Sequence, residues 1–130
     1  NCRIFPGHEK DAIAAELRKV AAESKLELTE INPEYVIAAP ASPFDLKFVQ
    51  AVTKAISLAF GEMPIFASQA SGATDSMWYR ALGIPSYGAS GTFMKVSDDY
   101  SHGLNERVPT GYIQASVEYY MTLLRGLASD

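Results

Sequence analysis

The sequence has little cysteine and little histidine: one Cys and two His among 130 residues. A single thiol excludes a disulfide within the chain, and the alternating residues around Cys2 predict a buried thiol on a strand rather than a nucleophile. No apolar run approaches the roughly 20 residues of a membrane span. Basic residues form no stripe, and no glycine-rich phosphate-binding fingerprint occurs. Neither a nucleic acid nor a membrane is therefore expected as a partner.

The composition is that of a globular protein, with 48% hydrophobic residues, 20% charged residues and a net charge of −4. A chain of this length can bury roughly two thirds of its unfolded surface, so a packed core is expected. The start of the sequence has neither an initiator Met nor the pattern of a signal peptide. We therefore expect further sequence before Asn1, and the compartment, cytoplasmic or periplasmic or secreted, stays undetermined.

Apolar residues at helical spacing predict four helices. The second is expected to begin with Ser42 as its N-cap and Pro43 as its first residue, and to end at Gly61. The predicted ranges are 9–22, 42–60, 75–82 and 110–127. The residues expected to face inward in the last of them are Ile113, Val117, Tyr120, Met121, Leu124 and Leu127.

Four further segments, 1–5, 26–31, 64–67 and 84–88, have the composition of strands. The order strand, helix, strand at the start, with alternating polar residues, predicts an antiparallel sheet with helices on one face. Helix, strand, helix, strand from residue 41 to 91 predicts a mostly parallel α/β sheet. The small, proline-rich connector around residues 39–43 is the expected domain boundary.

The loop from His102 to Pro109 is the most polar candidate for chemistry, because an amide, a carboxylate and a guanidinium follow the imidazole within five positions. Its histidine is interpreted as a metal ligand, a general base or a hydrogen-bonded loop residue. A metal site needs about three or four protein ligands, and no second histidine is nearby. Any metal at His102 therefore requires ligands from elsewhere.

A second polar loop, Ser71 to Ser76, precedes a predicted helix. Its backbone N–H groups and the Thr74 hydroxyl suit an anion at a helix N-terminus, and simple capping by Thr74 or Asp75 is the alternative. The turn Gly88 to Thr92 is similar to a nucleophile elbow until Thr92, where a glycine is required. We interpret it as an ordinary turn.

Taken together, four segments resemble the zinc exopeptidase and aminoacylase family, peptidase family M20, over essentially the whole chain. They are 1–7, 71–75, 83–88 and 102–106. Members have an α/β catalytic domain with two zinc ions and a smaller α+β lid domain through which many dimerise. The resemblance implies that residues 1–38 are the second half of the lid domain and residues 41–130 the C-terminal portion of a mostly parallel-sheet catalytic domain.

The resemblance also implies roles for individual residues. His102 matches the last zinc ligand, and Arg3 matches the lid-strand arginine that binds the substrate carboxylate. No catalytic residue proper is present, because the general base and the other zinc ligands would lie upstream of Asn1. Matches to the loop that holds the substrate through backbone amides are Gly72, Ala73 and Thr74; matches to positions around the zinc ligand are Asn105 and Glu106.

The implied activity is metal-dependent hydrolysis of an amide or peptide bond next to a carboxylate, as in carboxypeptidases, dipeptidases and deacylases such as aminoacylases. The complete enzyme would hold two zinc ions, with cobalt or manganese as alternatives. These 130 residues alone are expected to be inactive and to bind no metal stably. The expected partners are a peptide or N-acyl amino acid substrate, the remainder of the polypeptide and a second copy of the chain. The alternative function is a non-catalytic dimerisation or assembly module.

Overall fold

The structure is a computed structural model that describes residues 2–22, 24–33, 37–70 and 72–129. Within this part of the chain there are four α-helices: α1 (Lys10–Ala22), α2 (Leu46–Phe60), α3 (Ser76–Ala81) and α4 (Ile113–Leu127). The described residues also include the 3₁₀ turns Val96–Asp98 and Thr110–Tyr112. The existence of all four predicted helices is confirmed. None of the described helices is long and apolar enough to cross a membrane.

The chain divides into two compact units. The first comprises Asn1–Pro43 and Ala67–Tyr87, and it includes α1 and α3. The second comprises Phe44–Phe66 and Gly88–Asp130, and it includes α2 and α4. The predicted lid and catalytic portions, divided near residues 39–41, stay a prediction.

The predicted fold class is wrong for the described residues, because none of them forms a β-strand and neither the parallel sheet nor the lid sheet is present. The segments predicted as strands are not helical, but no ladder of backbone hydrogen bonds joins them. Period-two alternation specifies an extended conformation, whereas a strand also requires a second backbone to pair with. Apolar residues expected inside a sheet are consequently exposed, as for Ile31 at 81% and Phe66 at 82%.

Helix α2 begins three residues later than predicted, since Asp45 is its N-cap. The Asp45 Oδ1 atom accepts hydrogen bonds from the backbone N–H groups of Lys47 (2.8 Å) and Phe48 (3.3 Å). The Ser42 hydroxyl is used elsewhere: it donates to the Ser86 carbonyl oxygen (2.8 Å) and accepts from the Ser86 N–H (2.9 Å). At the other end, Gly61 has the positive φ of 86° expected of the residue that ends the helix.

The core of the second unit lies between α2 and α4. Its buried residues are Val52, Ala55 and Ile56 of α2 and Tyr119 and Leu123 of α4. Helical spacing of Val49, Val52, Ile56 and Phe60 predicts the buried face of α2, and this is confirmed: Val52 and Ile56 are buried, and Val49 and Phe60 are partly buried. The predicted inward face of α4 is wrong, because all six residues assigned to it are at least 41% exposed.

The contacts of Gly91 explain which face of α4 is buried. The Ser116 hydroxyl donates to the Gly91 carbonyl oxygen (2.8 Å), and the Gly91 N–H donates to the Tyr120 hydroxyl (3.3 Å). These bonds orient α4 so that the Tyr119 ring lies directly against Gly91, where a Cβ would stand 2.5 Å from Tyr119 Cδ1. The hydrogen bonds of Gly91 and its lack of a side chain therefore determine which face of α4 is buried. The periodicity of apolar residues does not report either of these contacts.

The Tyr119 side chain is fully buried, and its hydroxyl has no hydrogen-bond partner among the described residues. A buried unpaired hydroxyl destabilises the folded state by about 1–3 kcal/mol. We expect Tyr119→Phe to leave the free energy of unfolding unchanged or to raise it by about 1 kcal/mol, measured by urea denaturation at pH 7. Tyr120→Phe is the matched control, because it removes an acceptor of the Gly91 N–H and should lower that free energy by about 0.5–1.5 kcal/mol. A larger loss in the Tyr119 variant would contradict the assignment.

The same pair of variants tests a pH dependence. Burial raises the pKa of Tyr119 above its ordinary value of 10.0. The folded state thus favours the neutral phenol. The resulting contribution to the free energy of unfolding is fully present below pH 10.0 and is lost as the pH rises further. Tyr119→Phe should lack this part of the alkaline loss of stability, whereas Tyr120→Phe should keep it.

The first unit is held by polar contacts rather than by a core. Helical spacing of Ile13, Leu17, Val20 and Ala21 predicts one buried face of α1. That prediction is wrong, because no described residue of α1 is buried and Val20 is 69% exposed. Among the described residues, α1 contacts no other helix. A hydrogen-bonded ion pair joins Lys10 Nζ to Glu30 Oε1 at 2.8 Å, and this bond raises the pKa of Lys10. The predicted buried thiol of Cys2 is also wrong, because Cys2 is exposed.

The connector in the first unit is fixed by one residue of α3 and two residues that follow it. Besides the Ser42–Ser86 pair, the Tyr87 hydroxyl donates to the Pro43 carbonyl oxygen (2.9 Å) and Arg80 Nε donates to the Pro40 carbonyl oxygen (3.0 Å). These bonds join residues at least 40 positions apart in the sequence. They hold the proline-rich segment against the region just after the second candidate loop.

Candidate functional site

His102 lies on an exposed turn of the second unit. The Ser101 N–H donates to Asp99 Oδ1 (3.0 Å), the Ser101 hydroxyl donates to the same oxygen, and the Gly103 N–H donates to the Tyr100 carbonyl oxygen (2.9 Å). These bonds hold His102 at φ 61°, in a left-handed conformation that His and Asn adopt more readily than most residues. The loop backbone therefore sets the position of the imidazole.

The Asp99 carboxylate that organises this turn stays ionised at neutral pH. The hydrogen bond from the Ser101 hydroxyl, followed by that from the Ser101 N–H, holds the pKa of Asp99 below its ordinary value of 3.8. The charge of His102 lowers the pKa of Asp99 further, by a smaller amount. An ionised acceptor strengthens both hydrogen bonds.

Asp98 and Arg107 close the base of the His102 loop. Arg107 Nη2 lies 3.4 Å from Asp98 Oδ1, and Arg107 Cζ lies 4.3 Å from the centroid of the Tyr100 ring. Both charged side chains are about half exposed, so the ion pair contributes little to stability by itself. The contact with the Tyr100 ring also orients the Arg107 guanidinium. The contact among Asp98, Tyr100 and Arg107 was not predicted from the sequence. An acidic residue, an aromatic residue and an arginine within ten positions were the signal available.

His102 fits one position of a metal site but does not form such a site with the described residues. In that part of the chain, the side chains of His102, Asn105 and Glu106 make no hydrogen bond, so the imidazole is free to bind. A neutral imidazole nitrogen is a common zinc ligand. No group of three or more His, Cys, Asp or Glu among the described residues could hold a metal ion. Further ligands would have to join His102.

In the first unit, the structure brings together two predicted substrate-binding positions. A Cβ placed on Gly72 would lie 3.6 Å from Arg3 Nη1, so the Arg3 guanidinium lies beside Gly72. Arg3 is exposed and makes no ion pair with any described residue. The neighbours Asn1 and Ser71, which belong to the same sequence segments, lie outside the described residues.

The loop from Gly72 to Thr74 leads into α3 without a side-chain cap. Asp75 is the N-cap residue, but its carboxylate accepts no hydrogen bond from the helix. Thr74 takes part through its carbonyl oxygen, which accepts from the Met77 N–H (3.1 Å). Gly72, Ala73 and Thr74 are all exposed. The capping alternative is therefore wrong for these side chains. The loop is exposed to solvent beside the Arg3 guanidinium, which has no ion pair within the described part of the chain.

The sequence as a whole matches one known protein family. Residues 3–126 match the model of Peptidase family M20/M25/M40, which is nearly the whole chain, and the chain belongs to this family. Membership indicates a metal-dependent peptidase or related hydrolase. The resemblance based on four short segments is thereby confirmed. No curated protein and no solved structure matches the chain.

Proposed function

We propose that the complete protein hydrolyses an amide or peptide bond next to a carboxylate, in the manner of a carboxypeptidase, dipeptidase or deacylase. The observation that most supports this is the position of the Arg3 guanidinium beside Gly72, with no ion pair to any residue that the structure describes. A guanidinium can bind a carboxylate through two parallel hydrogen bonds, and adjacent backbone N–H groups add further donors. Peptides and N-acyl amino acids are substrates with such a carboxylate.

His102 is proposed to bind one of two zinc ions in the complete protein, with cobalt or manganese as alternatives. Such a metal centre, when bound, polarises the scissile carbonyl and lowers the pKa of the attacking water. The chain's own contribution is to place an unpaired imidazole on a turn fixed by Asp99, Ser101 and Gly103. Asn105 and Glu106 lie next to it and would hydrogen-bond to groups around the metal. The other ligands and the general base are proposed to come from residues outside 1–130.

The remainder of the polypeptide and a second copy of the chain are the proposed protein partners. Large exposed apolar side chains support protein contacts in the first unit, since such patches on soluble proteins often mark interfaces. They also favour the alternative function, a non-catalytic dimerisation or assembly module. These side chains belong to Leu17, Val20, Leu26, Leu28 and Ile31.

An activity comparison tests the proposal. The complete protein with added zinc should hydrolyse N-acyl amino acids and dipeptides, while residues 1–130 alone should hydrolyse neither and should retain no zinc after dialysis. Product formation, metal content and mass in solution are measured for both. Hydrolysis by the 130 residues alone would contradict the placement of the other ligands. A complete protein that forms dimers but hydrolyses no member of the panel would favour the assembly module.

A further inference from the structure

A cleft of about 410 Å³ opens in the second unit. Its lining comes from two stretches of the chain: Phe93, Met94, Lys95 and Asp98 from the first, and Arg107, Val108, Pro109 and Tyr112 from the second. The cleft uses neither His102 nor any residue assigned above to substrate binding. Its volume falls in the range of small-molecule sites, which are about 300–1,000 Å³.

The aromatic residues of the cleft are fixed by the core. The Phe93 ring packs edge-on against Phe60, with 4.7 Å between centroids, and the Tyr112 ring lies 6.5 Å from Phe60. Phe60 and Phe93 in turn pack against the buried residues of α2 and α4. The apolar part of the cleft is thus preformed, yet Met94 and Tyr112 remain exposed to solvent. Such a surface suits the hydrocarbon part of a ligand.

The charged residues of the cleft favour an anion. Lys95 is exposed and has no ion pair within the described residues. Arg107 contacts Asp98 through one nitrogen at 3.4 Å, so most of the five guanidinium N–H donors are unused. Stacking on Tyr100 holds the guanidinium plane in place. Two cations and one carboxylate leave a net charge of +1 beside the apolar surface.

From this combination we propose that the cleft binds a small organic monocarboxylate with an apolar body, such as an arylalkanoate. The carboxylate lies between Lys95 and Arg107, and the hydrocarbon part contacts Phe93, Met94 and Tyr112. The Asp98 carboxylate disfavours a doubly charged phosphate, because the second negative charge would be unpaired beside it. A single negative charge matches the cleft.

The methyl group of Met94 makes the proposal directly measurable. The chain has four methionines, and only Met94 is in the lining of this cleft. In full-length protein labelled with ¹³C-methyl methionine, 4-phenylbutyrate should shift the Met94 signal saturably, and the signal is assigned with Met94→Leu. The uncharged 4-phenylbutanamide should bind about fivefold more weakly, because it lacks the charge that the two cations attract.

A charge variant provides the second readout. Lys95→Gln should weaken 4-phenylbutyrate binding about fivefold and leave 4-phenylbutanamide binding unchanged. Lys95 is exposed and unpaired, so this variant removes a charge without disturbing a packed contact. Lys54→Gln, on the exposed face of α2, is the matched control and should bind both compounds as before. The proposal is overturned if Met94 does not respond, if the acid and the amide bind equally, or if Lys95→Gln has no effect.

Discussion

Replacing His102 with Asn should remove the metal from the complete protein and reduce its hydrolytic rate by more than about 100-fold. Loss of an outer hydrogen-bond partner of a metal ligand already weakens metal binding by about 10–100-fold, so loss of the ligand itself should have a larger effect. Asn is preferred to Ala here because His102 has a φ of 61°, which Asn tolerates and Ala does not. The measurements are zinc content after dialysis and turnover of an N-acyl amino acid.

The other histidine provides the control for this variant. His8 is also exposed, but it lies in the first unit beside the turn that follows Phe5. His8→Asn should keep both metal and turnover. Unchanged metal content and turnover in the His102 variant would refute its role as a ligand.

Replacing Arg3 with Met should reduce kcat/KM for carboxylate substrates by about 10- to 100-fold, mainly through a higher KM. This loss corresponds to the roughly 1.5–3 kcal/mol that a hydrogen bond to a charged group contributes. Arg3→Lys keeps the charge but not the paired donors, so it should recover only part of the loss. The zinc content should stay unchanged, which separates this outcome from that of the His102 variant.

A neutral substrate isolates the role of the Arg3 charge. With the terminal carboxylate replaced by a carboxamide, the wild-type protein and Arg3→Met should differ little. Arg18→Met, at an exposed position of α1, should hydrolyse both substrates normally. If Arg3→Met lowers kcat/KM equally for the charged and the neutral substrate, the arginine stabilises the structure rather than binding the carboxylate.

The helices could be predicted from the sequence because their signals are local. Apolar residues at helical spacing and a terminal glycine suffice to locate α2, whose buried residues Val52 and Ile56 were expected. The start of α2 was misplaced because Ser42 and Asp45 are both good N-caps. The choice between them depends on the distant Ser86, whose backbone binds the Ser42 hydroxyl.

The sequence predicted a sheet that the described residues do not form, because strand pairing is not a local property. Alternation from Leu26 to Ile31 and the apolar run from Pro64 to Ala67 indicate backbone conformation, but they do not identify a partner with free N–H and C=O groups. The face of α4 was missed for a related reason. Its rotation depends on contacts between Gly91, Ser116 and Tyr120, which join residues 25 to 29 positions apart.

The candidate site also has features with a local sequence signal and features without one. His102 was recognised from its polar neighbours alone, and its fixed turn is formed by residues within three positions of it. The proximity of Arg3 to Gly72 had no local signal, and only the family resemblance indicated it. The cleft at Lys95 was missed because its lining combines residues 93–98 with residues 107–112, and no local pattern indicates that these two stretches come together.

The close approach of Gly91 to Tyr119 also determines which sequences this unit can accept. Any side chain at position 91 would begin 2.5 Å from the Tyr119 ring, and moving the backbone away would break the bonds to Ser116 and Tyr120. A larger residue at 91 is therefore compatible only with a smaller one at 119. Positions 91 and 119 should therefore vary together among related sequences. An aromatic residue at position 119 of α4 is possible only because position 91 is a glycine.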